Sequence, residues 1–236
     1  MVSNTMDQLT ESDPGQRPPL SRERLFQAAI DLADRRGIEA VTMRNLAADL
    51  GVEAMSLYHH VANKQALLDG VVDGVVADIE TELGGFDVVA DPHSWRKVLR
   101  DRILTARRVM LRHPWAPAVI ETRTITTPTT LRYMDTLLGI LLQGGFSYDL
   151  AHHTMHAIGS RALGFSQELF QPNPDDDTGS NDTLAAMAIE LPNIVGMLST
   201  IVHDDPDTTL GWCDDQTEFE FGIDVLLDGL ERRLGG

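Results

Sequence analysis

The stretch from Thr42 to Lys64, TMRNLAADLGVEAMSLYHHVANK, constrains the fold more than any other part of the chain. It reads as two short helices about a tight turn. Leu46, Ala47 and Leu50 fall on one face of the first helix, the spacing a packed helix needs. Gly51 stands where that helix must stop, and glycine takes positive φ without steric cost. Val52 and Leu57 then hold the second helix against the first. Such a unit is a helix-turn-helix, whose second helix enters the DNA major groove.

At 236 residues the chain can bury one large core or two smaller ones. Its net charge of −17 looks unsuited to DNA, but the charge is unevenly spread. Residues 1–19 hold three acids and one base, and residues 20–70 hold seven acids and six bases. The acidity therefore lies in the C-terminal part, leaving a nearly neutral head to approach phosphate. Non-specific affinity is expected to be weak. Cys213 is the single cysteine, so an intramolecular disulfide is impossible and a reducing cytoplasm is the expected location. No run approaches the roughly 18 apolar residues of a membrane span. No basic segment followed by an apolar one marks a secretory signal, so no membrane partner is expected.

Along the chain the periodicity stays helical, with no alternating strand pattern, and implies an all-α fold of about ten helices. Residues 1–19, with Pro14, Gly15, Pro18 and Pro19, read as a disordered arm. Ser21 can cap a helix to about Arg36, ended by Gly37; Thr42 can cap the next, and residues 54–60 form the third. Asn63 caps a fourth, Lys64 to about Leu83, closed by Gly84-Gly85. Asp91-Pro92 opens a helix to about His113, and Pro114–Thr122 forms a short one. Pro128 opens another with Leu131, Met134, Leu138 and Leu141 on one face, ended by Gly144-Gly145. Ser147 caps a helix to about Phe170. Residues 171–182 are an acidic loop. Residues 183–203 are helical with a break at Pro192, and residues 216–234 carry the stripe Phe219, Ile223, Leu226, Leu227, Leu230 and Leu234. The expected domains are a helix-turn-helix head over 20–68 and a larger body over 69–236.

The head residues Ala28–Ala33, Gly37, Val41–Gly51, Ser56–Val61, Asn63-Lys64 and Leu67-Leu68 are similar, nearly throughout, to the DNA-binding domain of the tetracycline-repressor (TetR) family. In the body, Ser94-Trp95, Leu99-Arg100, Gly145–Ser147, Leu163-Gly164, Glu168, Phe219–Gly222 and Leu226–Glu231 resemble the tetracycline repressor's own branch. The resemblance implies a homodimeric, non-enzymatic repressor that a small molecule releases from a palindromic operator in double-stranded DNA. It implies DNA contacts from Thr42, Arg44, Ala54, Met55, Ser56, Tyr58, His59 and Lys64. Arg44 can reach a guanine edge or a phosphate, and Ala54 and Met55 suit a thymine methyl. Tyr58 and His59 can bond phosphate. Lys64 sits at a helix N-terminus, another phosphate site.

The resemblance also implies a pocket lined by Arg102, Ala106, Met110, Met134, Leu137, His152, Met155 and His156. Apolar walls with few polar groups suit a bulky, mostly apolar effector. Two departures separate the chain from the tetracycline binders. Their magnesium-ligating histidine is matched by the stretch Val119-Ile120-Glu121, which has none, and a polar residue on their seventh helix is matched by Leu137. No cofactor and no metal site is therefore expected.

Several features carry a second reading. His152 and His156 have metal-ligand spacing, on which a metal-dependent enzyme would rest, or are pocket or interface histidines. Met110, Met134 and Leu137 line a pocket or pack a core. Arg102 meets a ligand, or pairs with Glu80 or Glu168. Trp115 anchors the core or touches a ligand, and Asp175–Asp177 form a solvated loop or hold calcium. Gly70 and Gly74 inside the fourth helix let it pivot or let a neighbour pack closely. Dimerisation is expected through helices 148–169 and 216–234, where Ala157, Ala162 and Gly164 permit close approach and Leu227 marks the contact. The same fold also serves activators and accessory regulators.

Overall fold

The computed structural model describes residues 19–85, 91–123, 126–164, 189–200 and 215–235. Among these residues all regular structure is helical: α1 (Arg22–Arg36), a 3₁₀ turn (Ile38–Ala40), α2 (Met43–Leu50), α3 (Ala54–Leu57), α4 (Lys64–Leu83), α5 (Trp95–Arg112), α6 (Ala116–Glu121), α7 (Pro128–Gln143), α8 (Tyr148–Gly164), α9 (Pro192–Thr200) and α10 (Asp215–Leu234). The chain divides into two compact units, residues 1–74 and 75–236, with the division inside α4. No described helix is long and apolar enough to cross a membrane. The arm 1–18, Glu168, the acidic loop and Cys213 lie outside the described residues.

In the first unit the caps stand where the sequence puts them. Ser21 accepts a hydrogen bond from the Arg24 N–H, Thr42 from that of Asn45 and Asn63 from that of Ala66. Each satisfies an orphan donor of a helix's first turn. Leu25, Ala29, Leu32, Val41, Leu46, Leu50, Leu57 and Leu67 are buried.

In the second unit a core gathers Trp95, Leu99 and Ile103 of α5, Leu137, Ile140 and Leu141 of α7, Ala151 and Ile158 of α8, and Phe219, Ile223 and Leu227 of α10. Trp95 packs edge-on against Phe146, ring centroids 4.8 Å apart. Outside this core, α5 and α10 are joined by charge. Arg100 pairs with Glu220 and Asp224, and Arg96 with Asp228 and Glu231.

Four expectations are corrected. The third helix ends at Leu57 rather than His60, because the N–H groups of Tyr58, His59 and His60 bond three residues back and tighten the chain into turns. The helix expected from Asp91 starts at Trp95, because the Asp91 carboxylate accepts from the His93 and Ser94 N–H groups and holds a side-chain turn. On α7 the buried face is Leu137, Ile140 and Leu141, while Leu131 and Met134 are exposed. On α10, Leu227 is fully buried in its own subunit and Phe221 and Val225 are exposed.

Candidate DNA interface and effector site

The turn between α2 and α3 is closed by backbone geometry. Gly51 adopts the left-handed conformation, φ 68° and ψ 38°. The Val52 N–H donates to the Ala47 carbonyl and the Gly51 N–H to that of Ala48. This is a Schellman stop, which fixes the direction in which the chain leaves α2. The Asn45 amide donates to the Ala40 carbonyl and ties the preceding 3₁₀ turn to α2. Arg35 grips Asp49 at 3.0 Å, joining α1 to α2. Neither of these two tethers was read in the sequence, because both depend on how the helices cross.

Leu57 anchors α3 inward, and the other side chains of this helix face outward. Met55 is 70% exposed and Tyr58 45%; Arg44, His59 and Lys64 are exposed, and Thr42, Ala54 and Ser56 are half-buried. The eight candidate DNA residues thus lie at the start of α2, on α3 and the turn after it, and at the first residue of α4. An exposed methionine beside an exposed tyrosine has no packing role in the head. It offers apolar contact and a hydroxyl to a groove.

In the second unit the candidate pocket residues fall into groups. Arg102, Ala106, Met110 and Leu137 are buried, Met134 is exposed, and His152 and His156 stand exposed on α8. Arg102 pairs with Glu80 of α4, in the part of that helix belonging to this unit, and its guanidinium lies 5.9 Å from the Tyr133 ring centroid. Burial pushes the Tyr133 phenol up to about 12. Of the residues around Arg102, Glu80 was read only as one of two possible partners and Tyr133 was not read at all. A signal for Glu80 was there: it continues the four-residue spacing of the buried Val72 and Val76, putting a carboxylate on an apolar face. Met155 packs against the core containing Leu137, and with His156, Glu121, Gly159, Ser160 and Leu163 it lines a cleft of about 470 Å³ between α6 and α8.

The rings of His152 and His156 lie 4.6 Å apart, edge to face. Among the described residues no group of three or more metal-ligating side chains comes together. The α6 stretch matched to the magnesium-holding histidine of the tetracycline binders has no histidine: Val119 and Ile120 carry no donor atom, and its one donor is the exposed carboxylate of Glu121. Trp115 is buried and stacks obliquely beside His113, as a core anchor does.

A second groove, of about 450 Å³, runs between α8 and α10 and is lined by Leu150, Ala157, Ile158, Val225, Leu226 and Leu230 among others. It is the face on which dimerisation was expected.

A glycine-stopped helix pair whose second helix carries exposed side chains, in a chain whose other unit is helical with its own core, defines a helix-turn-helix DNA-binding regulator. Residues 25–71 match the model of bacterial regulatory proteins of the tetR family, and residues 90–234 that of the tetracyclin repressor-like C-terminal domain. The chain belongs to the TetR family of transcriptional regulators, with a tetracycline-repressor-like C-terminal domain. It is 29% identical to the HTH-type transcriptional repressor DrrR1 of Streptomyces coeruleorubidus over 92% of this chain and 79% of that one. It is 29% identical to the class D tetracycline repressor of Escherichia coli over 91% of each. Among solved structures it is similar to the TetR family protein ActR of Streptomyces coelicolor in complex with (S)-DNPA. That likeness has 25% identity, a TM-score of 0.68, and coverage of 92% of this chain and 99% of that one.

Proposed function

We propose that this protein is a homodimeric repressor that holds a palindromic operator through Thr42, Arg44, Ala54, Met55, Ser56, Tyr58, His59 and Lys64, and that a small, mostly apolar effector releases it. The head, residues 20–68, carries the DNA contacts, and the body, residues 69–236, carries the effector pocket and the dimer contact. The observation that carries the reading is the outward face of α3 and the turn after it, where Met55 and Tyr58 stand exposed on a segment whose direction Gly51 fixes. The repressor reading is supported by the names of two relatives, the HTH-type transcriptional repressor DrrR1 and the class D tetracycline repressor. The binding of a small molecule is supported by the complex of the similar protein ActR with (S)-DNPA.

Two recognition helices related by a two-fold axis read half-sites about one helical turn or a multiple apart. An effector that favours a different head spacing lowers operator affinity, and DNA lowers effector affinity by the same factor. Few bases in the head mean few phosphate contacts, so the salt dependence comes from a small number of side chains. The test is operator selection followed by binding of Tyr58→Ala at several salt concentrations. The variant is expected to lose affinity for the selected palindrome while remaining dimeric. Undiminished binding would show that α3 is not the recognition helix.

A further inference from the structure

The geometry points to Glu53 as a specificity-determining residue of the operator contact, one that accepts a hydrogen bond from the amino group of a cytosine in the major groove. This deepens the proposed DNA interface and rests on that reading. The residues that lead a recognition helix into the groove are the ones that reach base edges. Here they are Glu53, Ala54 and Met55, because Gly51 stops α2 and α3 opens at Ala54. Ala54 and Met55 carry no strong hydrogen-bonding group, and Ser56 behind them is half-buried. Glu53 therefore holds the one exposed polar side chain at that end.

The Glu53 carboxylate has no structural task. A residue in its position can cap the helix by accepting a first-turn N–H, yet this side chain makes no such bond. Among the described residues it has no ion pair and no side-chain hydrogen bond. Asp49 differs, for Arg35 holds it at 3.0 Å. Glu53 is thus a bare negative charge on a surface that approaches a polyanion, and it repels every phosphate alike. Only a base edge that donates can offset this. In the major groove cytosine N4 and adenine N6 donate, whereas guanine O6 and N7 and thymine O4 accept. An ionised carboxylate only accepts, so the adenine N7 beside the amino group opposes it. Cytosine has the apolar C5 edge there instead, and Met55, 70% exposed two residues on, offers apolar surface to it. Specificity of this kind comes from rejecting the other bases as much as from holding the right one.

The experiment selects the operator with the full-length protein and repeats the selection with Glu53→Gln and Glu53→Ala. The wild type is expected to demand a cytosine in each half-site that Glu53→Ala no longer demands. Glu53→Gln, whose amide both donates and accepts, is expected to admit adenine at the same place. Replacing that cytosine by pyrimidin-2-one, which lacks the amino group, is expected to cost the wild type at least about tenfold more than it costs Glu53→Ala, the scale of one hydrogen bond to a charged group. Random duplex is expected to bind Glu53→Ala about two- to fivefold more tightly, because one exposed like charge is gone. Both variants are expected to melt with the wild type, since the side chain holds nothing in place. A half-site that all three proteins select alike, or an equal cost of the analogue to wild type and Glu53→Ala, would overturn the inference. Tyr58→Ala on the same operator tells the two failures apart. If it binds undiminished, the recognition-helix reading has failed; if it alone loses affinity while base preference ignores Glu53, only the role of Glu53 has.

Discussion

Gly70 of α4 lies beneath the ring of Phe26 of α1, so close that a Cβ on Gly70 would stand 2.1 Å from Phe26 Cζ. One turn on, a Cβ on Gly74 would stand 2.6 Å from Ile30 Cδ1. The two glycines form a groove that takes a ridge of α1, which is the close-packing reading of these residues rather than the pivot. Each glycine forfeits about 1 kcal/mol of helix propensity relative to alanine. Gly70→Ala is therefore expected to destabilise the wild-type head by about 1–3 kcal/mol through overpacking. In a Phe26→Ala background, where the ring is gone, the same change is expected to stabilise by up to about 1 kcal/mol. Chemical denaturation of the four proteins gives the coupling directly. Additive effects would mean that Phe26 does not hold Gly70.

Val225 and Leu227 separate the subunit contact from the subunit core. Leu227 is fully buried among Phe219 and Ile223, whereas Val225 is 51% exposed and lines the groove between α8 and α10. If two copies meet there in a four-helix arrangement, Val225→Glu places an unpaired charge in the contact. It is expected to shift sedimentation at micromolar concentration from dimer toward monomer, with helicity retained. Leu227→Glu is expected to lose helicity instead. A Val225→Glu variant that sediments as an unaltered dimer would remove this face from the interface.

The helix-turn-helix and its caps were legible because they are local. Thr42, Gly51 and Asn63 act on backbone within a few residues, and the sequence places them unaided. The face of α7 was misread because that helix is apolar on more than one side; on α10 the stripe itself is the buried face, and what packing changed is its partner, the subunit's own core. Met134 and Leu137 fit the same periodicity argument, and only packing tells that one is exposed and the other buried. The partner of Arg102 was left open between Glu80 and Glu168 for the same reason, since the choice depends on where α4 passes α5.

Acid should loosen the seam between α5 and α10. The bonds from Gln216 and Arg100 hold Glu220 below the ordinary carboxylate range, and those from Arg100 hold Asp224 below it. Groups whose folded pKa lies below the unfolded value stabilise fully above the latter, and the gain is lost as pH falls through the former. The melting temperature is thus expected to fall as the pH drops from about 5 toward 3, through the ordinary carboxylate range. Arg100→Gln is expected to fall less steeply. These side chains are 29–41% exposed, so solvent screening limits the difference to about 1 kcal/mol or less. Thermal melts of both proteins across that range decide it, and parallel curves would mean that the seam contributes nothing.

Selectivity for effectors should differ from that of the tetracycline repressors which the chain resembles over nine-tenths of its length. The tetracycline binders hold magnesium through a histidine, and the α6 stretch has none, its one donor being the exposed carboxylate of Glu121. The magnesium–tetracycline complex also needs hydrogen-bonding partners along the drug's polar edge. Leu137 supplies none, and it is buried in the core of the second unit. Glu80 and Arg102 are engaged with each other. Calorimetry with tetracycline and magnesium is therefore expected to show no tight binding, and any residual heat is expected to be unchanged by EDTA. For the physiological effector, once isolated, EDTA is likewise expected to leave affinity unaltered, because apolar burial does not involve a metal. Tight tetracycline binding that EDTA abolishes would mean that another donor, such as the Glu121 carboxylate, holds the metal, and would return the protein to the metal-dependent drug sensors.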